Sequence, residues 1–374
     1  MMTTLADLYR IDDFIDTFAL GHYARVLDAV DLRTSQRVAF KVLRTEHLSP
    51  NGDIRWEYRA FASEADLLTR LADETSVVRL RDCGYLSAMG EAPAGGDVVS
   101  FGLDVNAFRE ATHDYAERDW RPYLALENLP RTNNLLYLMK PNQPGVRWRL
   151  PTEEGLALAL QFAQLLQAAH RQNIVYLDHK LEHVYWDGQR LQIIDLNSSR
   201  LLDGKSNDAQ FYRMDVHNLC VGILYPIFTG LSPQKTTLRP QPSSQIEVEQ
   251  RYQDVTQLDF GVEPTLSPAI QDLLQAGAAM QISTVDEFLR ELRRVAAQHG
   301  WDFPDAYTSP VSQDARDQMR DGLRKIREGQ EAIRTARDLF RDAIIMDGIS
   351  QEMEEELRRL VMAANEMLNS RVIP

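Results

Sequence analysis

Ile174-Val175-Tyr176-Leu177-Asp178-His179-Lys180-Leu181-Glu182-His183-Val184 is the stretch on which the reading of this chain turns. An apolar run delivers an aspartate, and a lysine follows two places later. A strand-like pair comes next, Val184 to Trp186 and Leu191 to Ile194, with Asp187-Gly188 between them as a hairpin-turn signal. The second of these runs ends on another aspartate, Asp195, in Ile193-Ile194-Asp195-Leu196-Asn197. Upstream, Glu153 to His170 carries Leu156, Leu160, Ala163 and Leu166 at helical spacing. Two aspartates are thus set out on short loops beside a helix and a small hairpin.

Working outward towards the N-terminus, Val38-Ala39-Phe40-Lys41-Val42-Leu43 reads as a strand with a lysine at its centre. Such a lysine is costly to bury unless it meets an anion. A helix is expected from about Arg55 to Leu71. Within it Glu64 sits on the apolar frame of Phe61, Leu67, Leu68 and Leu71, and Glu57, two turns earlier, is its rival. Ala19-Leu20-Gly21-His22-Tyr23-Ala24-Arg25-Val26 offers small residues that let backbone approach a ligand. Tyr123-Leu124-Ala125-Leu126-Glu127-Asn128-Leu129-Pro130 reads as a buried strand leaving into a turn. Between Tyr85 and Pro122, four glycines suggest an inserted loop with one short helix near Phe108 to Ala116.

Taken in order, these segments resemble the motifs of protein kinases, over about residues 14 to 297. The resemblance implies an α+β, two-lobed protein kinase-like fold: a β-rich N-lobe (1–130), a helical C-lobe (131–303) and a C-terminal helical extension (304–374). It implies that Ala19, Gly21, Ala24 and Val26 belong to the loop over the phosphates of ATP. Ala39, Leu126, Glu127, Leu129 and Tyr185 would surround the adenine, and Lys41 would hold phosphate with Glu64 as its partner. Asp178 would orient the acceptor hydroxyl and Lys180 would neutralise the transferring phosphate. Asp195, with His183, would hold Mg²⁺ or Mn²⁺. Met214-Asp215-Val216-His217-Asn218-Leu219 resembles the helix whose aspartate braces the Asp178 loop. Ser267 to Leu292 resembles the last C-lobe helices of bacterial Ser/Thr kinases.

Four departures bear on function. His183 stands where the family has a metal-binding asparagine, although Mg²⁺ prefers oxygen. Tyr176 and Leu177 replace a His-Arg pair, and Asn197 replaces a glycine, a position where asparagine tolerates positive φ. Only twenty positions separate Asp195 from Asp215, and no Ala-Pro-Glu is present. The resemblance therefore leaves three readings: an atypical kinase acting on protein Ser/Thr, a pseudokinase serving as nucleotide-binding scaffold or regulator, and a small-molecule phosphotransferase.

Composition narrows the classes further. The chain has 374 residues, 44% of them apolar, with 41 Lys plus Arg against 55 Asp plus Glu and a formal net charge of -14. That charge argues against broad nucleic-acid binding. Cys83 and Cys220 form neither a zinc spacing nor a disulfide framework. The acidic N-terminus lacks the apolar run of a signal peptide, and the longest apolar run, Leu219 to Phe228, is about half a membrane span. A soluble, cytoplasmic protein without membrane contact is expected. Further helices are expected at Asp215 to Phe228, Ser267 to Ala279 and Thr284 to Ala297. From about 310 the chain reads as two helices, with Met319, Leu323, Ile326, Ile333, Phe340 and Ile344 in a broken heptad, Gly348 as the stop and Ser350 as the next N-cap. Such a stripe suits packing on the C-lobe, self-association or a protein partner.

Overall fold

The computed structural model describes residues 3–14, 23–48, 54–93, 95–139, 148–204, 208–231, 247, 251–261, 263–301, 310–346 and 348–369. Its N-terminal part is an antiparallel sheet and the rest is mainly helical, an α+β architecture. Six strands, β1 (Tyr9–Phe14), β2 (Ala24–Asp31), β3 (Gln36–Leu43), β4 (Leu80–Leu86), β5 (Val98–Gly102) and β6 (Arg121–Glu127), pair in the order β1-β2-β3-β6-β4-β5. β3 lies inside the sheet, with β2 on one side and β6 on the other, so Lys41 is held between Val26 and Leu124. Val38, Phe40 and Val42 bury one face of β3 against Tyr9, Leu27 and Tyr123. The other face meets helix α1 (Trp56–Arg70), which turns Phe61, Ala65 and Leu68 inward.

The stretch between Tyr85 and Pro122 is more ordered than its glycines suggest. β5 extends the sheet beyond β4, and short helices at Val105–Glu110 and Thr112–Ala116 follow it. Aromatic packing supplies the order: the ring of Tyr85 lies 4.5 Å from Tyr115, stacked, and 4.8 Å from Phe108.

The helical part is built on α2 (Thr152–Arg171), buried around most of its circumference by Leu156, Leu160, Phe162, Ala163 and Leu166. The strands β7 (Ile174–Val175), β8 (Val184–Trp186), β9 (Leu191–Ile193) and β10 (Arg200–Leu201) form two small antiparallel pairs, β7 with β10 and β8 with β9. Helix α3 (Asp208–Asn218) continues through a wider π-helical stretch, Leu219–Leu224, into Tyr225–Thr229. α4 (Pro268–Ala278) and α5 (Val285–Gln298) begin on the caps Ser267 and Thr284. β9 ties the two parts of the chain together, since Ile193 exchanges backbone hydrogen bonds with Ser76 and Val78. No helix among the described residues is long and apolar enough to cross a membrane.

The terminal residues form α6 (Pro310–Ile344) and α7 (Gln351–Asn369), with Ser350 Oγ accepting from the Met353 amide as N-cap. The two helices pack on one another, with Leu323, Ile333, Phe340 and Ile344 of the apolar stripe half-buried, while their attachment to the helical part is polar. Met319 and Ile326 remain exposed. Arginines at one face of α6 make the contact instead: Arg320 pairs with buried Glu154, Arg324 lies over the Trp148 ring, and Arg327 donates to Glu263 and to the Thr229 carbonyl. Spacings of four and three residues place all three on one stripe. Arg327→Ala should cost about 1–2 kcal/mol, because Glu263 is buried and would keep Arg149 and the Thr265 hydroxyl but lose the second guanidinium. Chemical denaturation measures this. An unchanged midpoint would show that other contacts seat α6.

Candidate functional site

Lys41 is buried at the centre of β3, and its ammonium stands 2.7 Å from Glu64 Oε2 and 2.8 Å from Asp195 Oδ1. Glu64 therefore reaches the lysine from α1, whereas Glu57 turns to His47 Nδ1 at 3.1 Å. Burial works against the Lys41 charge, but Asp195 and Glu64 outweigh it and keep the ammonium protonated well above its ordinary range. Burial pushes the Glu64 carboxyl up. Burial also opposes the Asp195 charge, yet Lys41, His183 and Lys180 hold that carboxyl far below the usual carboxylate range. The Tyr23 ring, itself buried, lies 5.9 Å from the Lys41 ammonium.

Asp178 follows β7 on a loop whose backbone is bent at Leu177, φ 65°. A bulky residue with positive φ persists only where its surroundings hold it. Here Asp215 accepts from the amides of Tyr176 (2.9 Å) and Leu177 (2.7 Å), while the Asn218 amide donates to the Leu177 carbonyl at 2.8 Å. His170 Nε2 stands 2.9 Å from the same aspartate. A second positive φ, 64°, falls on Asp195 itself. Asn197, the residue that sequence marked for left-handed backbone, is not among the positive-φ residues. The strain thus sits on the two aspartates' own loops.

Between these aspartates stands His183. Its Nε2 is 3.4 Å from Asp195 Oδ2 and its Nδ1 is 3.7 Å from Asp178 Oδ2. Lys180 lies 2.9 Å from Asp178 Oδ2, and Arg251 lies 3.3 Å from Asp178 Oδ1. Burial raises the Asp178 carboxyl, but Lys180, His183 and Arg251 outweigh it and hold it below the usual range. Glu64, Lys41, Asp195, His183, Asp178 and Lys180 therefore form one run of alternating charge and imidazole from α1 to the 174–184 loop. Arg251 belongs to it too, and no sequence motif marks that residue.

The residues expected around an adenine are more dispersed in kind. Ala24 and Leu126 belong to the main core, and Ala39 and Leu129 pack against it, with Ala39 and Leu126 opposite one another on β3 and β6. Val26 is half-buried on β2 beside Lys41. Glu127 closes β6 with its amide bound to the Arg79 carbonyl, and Tyr185 is buried on β8 opposite Asn134. Ala19 and Gly21 lie outside the described residues. His217 is enclosed between the carbonyls of Ala278 and Tyr252, a structural setting. Cys83 and Cys220 are buried and unbridged, and burial pushes the Cys83 thiol up to about 12.

Among the described residues, no group of three His, Cys, Asp or Glu side chains is placed to hold a metal ion. One carboxylate with phosphate oxygens suffices for Mg²⁺, which keeps much of its water. Asp195 Oδ2 therefore fits a cation whose other ligands are water or oxygens of a bound anion. Chemically, the run can bind an anionic phosphate at Lys41, share a cation at Asp195 and accept a hydroxyl proton at Asp178. No protein-family model matches the chain, and no curated protein matches it either.

Proposed function

We propose that this chain has the protein kinase-like fold and transfers the γ-phosphate of ATP to a protein Ser/Thr hydroxyl. The observation that carries this reading is the meeting of Lys41 with both Glu64 and Asp195, at 2.7 and 2.8 Å, beside the Asp178–Lys180 pair. Four segments far apart in sequence supply one charge array of the kind phosphoryl transfer uses. Lys41 holds phosphate oxygens, and Glu64 keeps the lysine aimed. Asp195 shares the nucleotide's Mg²⁺ or Mn²⁺, which offsets charge on the phosphates when bound. Asp178 orients the acceptor and Lys180 balances charge on the transferring group. Ala24 and Val26 lie over the phosphates, and Ala39, Leu126, Glu127, Leu129 and Tyr185 line the base.

A pseudokinase reading is favoured by one feature: His183 stands between Asp178 and Asp195, where an oxygen ligand would serve Mg²⁺ better. A single titration separates the two. ATP with Mg²⁺, at about a hundredfold excess over Kd, should raise the melting temperature by roughly 5 °C. Asp195→Asn should abolish the metal-dependent part of that rise. His183→Asn should raise Mg²⁺-dependent transfer. Nucleotide binding with the same background transfer in wild type and both variants would establish the pseudokinase instead.

A further inference from the structure

Asp178 is only 3% exposed, and its two oxygens differ. Oδ2 has Lys180 at 2.9 Å. Oδ1 is buried, accepts no hydrogen bond, and has Arg251 Nη2 at 3.3 Å, longer than a good hydrogen bond. A buried carboxylate oxygen left without a donor is costly, and it marks the position where a donor can be gained.

The backbone that carries Arg251 is anchored at the next residue. Tyr252 is buried, its hydroxyl donates to the His179 carbonyl at 2.9 Å, and its own carbonyl lies 3.0 Å from His217 Nε2. The ring packs over Gly222, where a Cβ would come within 2.7 Å of it and within 2.6 Å of the His179 carbonyl. Glycine at that point of the π-helical stretch lets the 251–252 segment reach the 174–184 loop. The nineteen residues between Asp195 and Asp215 are partly spent on β10 and the start of α3, a short stretch from which to cover Asp178. The later segment supplies that cover.

We propose that Arg251 closes the acceptor side of the site: its guanidinium covers the Asp178 oxygen that an incoming hydroxyl uses, and it moves aside before transfer. This rests on the reading of Asp178 as the residue that orients the acceptor. Lys41, Glu64 and Asp195 lie on the nucleotide side.

The test measures ATP affinity and turnover separately, with Mg²⁺·ATP, first with water as acceptor and then with dephosphorylated casein. Arg251→Gln should raise kcat by about three- to tenfold, the scale of one partly buried ion contact, with the ATP dissociation constant unchanged. Tyr252→Phe, which loosens the anchor but keeps the guanidinium, should raise it less. Adding Asp178→Asn to Arg251→Gln should return turnover to background. An unchanged kcat in Arg251→Gln with ATP still bound overturns the gate. A lowered kcat overturns it as well and makes the guanidinium a participant in transfer. Failure of ATP to bind the wild type is a separate readout and removes the functional reading together with the gate.

Discussion

Asp215→Ala should lower stability by about 3–5 kcal/mol. The carboxylate is fully buried and accepts from two backbone amides, those of Tyr176 and Leu177, with His170 as a third neighbour. Removing it orphans the two amides in a place water does not reach. It also releases the bend at Leu177, whose φ of 65° costs about 1–2 kcal/mol to hold for a branched side chain. The loop carrying Asp178 would then relax. Asp215→Asn keeps one acceptor oxygen and should cost about half as much. Denaturant titration gives the stability, and amide exchange at Tyr176 and Leu177 gives the local effect. A loss under about 1 kcal/mol with both amides still protected would show that the loop is held by other groups, Asn218 foremost.

Sheet first and helices after was legible because the apolar periodicity changes along the chain. Val38 to Leu43 reads as strand on one side, and Glu153 to His170 reads as helix on the other. The choice of Glu64 over Glu57 was legible from the apolar frame around it, since a helix that buries Phe61 and Leu68 turns Glu64 in with them. Two kinds of feature were not legible. The short helix expected near Phe108 to Ala116 is present, as Val105–Glu110 and Thr112–Ala116, but strand β5 was hidden among the glycines, where packing of Tyr85 on Phe108 and Tyr115 supplies the order. Where a charge meets a charge far along the chain, no local pattern announces it. Arg251 reaches Asp178 across 73 positions, and Arg320 reaches Glu154 across 166. The tail shows the same limit in reverse: its apolar stripe was visible, but an arginine stripe beside it seats α6, because the partners are carboxylates already buried in the helical part.

His179 gives the chain an acid sensitivity that sets in at higher pH than that of the carboxylates beside it. Its ring is fully buried, stacked 5.3 Å from Phe162 and set edge-on 4.9 Å from Tyr176, with neither nitrogen hydrogen-bonded. Burial pushes its pKa down to about 4, while Asp215 and Asp178 oppose the shift without overcoming it. The folded state therefore binds this proton more weakly than the unfolded chain, where the imidazole titrates near 6.5. The stabilisation is complete above pH 6.5 and is lost as pH falls, ending near the folded value of 4. At about 1.4 kcal/mol per pH unit over that window, the loss comes to roughly 3 kcal/mol. Asp178 and Asp195, whose carboxyls are held low, add a loss of the same sign, but only below the unfolded carboxylate range near 4. The raised Glu64 carboxyl acts in the opposite sense, since its proton favours the folded state. Urea unfolding at pH 7 and at pH 4.5 should show the fall in the wild type. His179→Phe keeps the stack on Phe162 and removes the titration. It should stay within about 1–2 kcal/mol of wild type at pH 7, allowing for a slightly larger ring. Between pH 6.5 and 4.5 its curve should be flatter by most of the 3 kcal/mol. A variant as acid-labile as the wild type in that window would assign the sensitivity to another histidine.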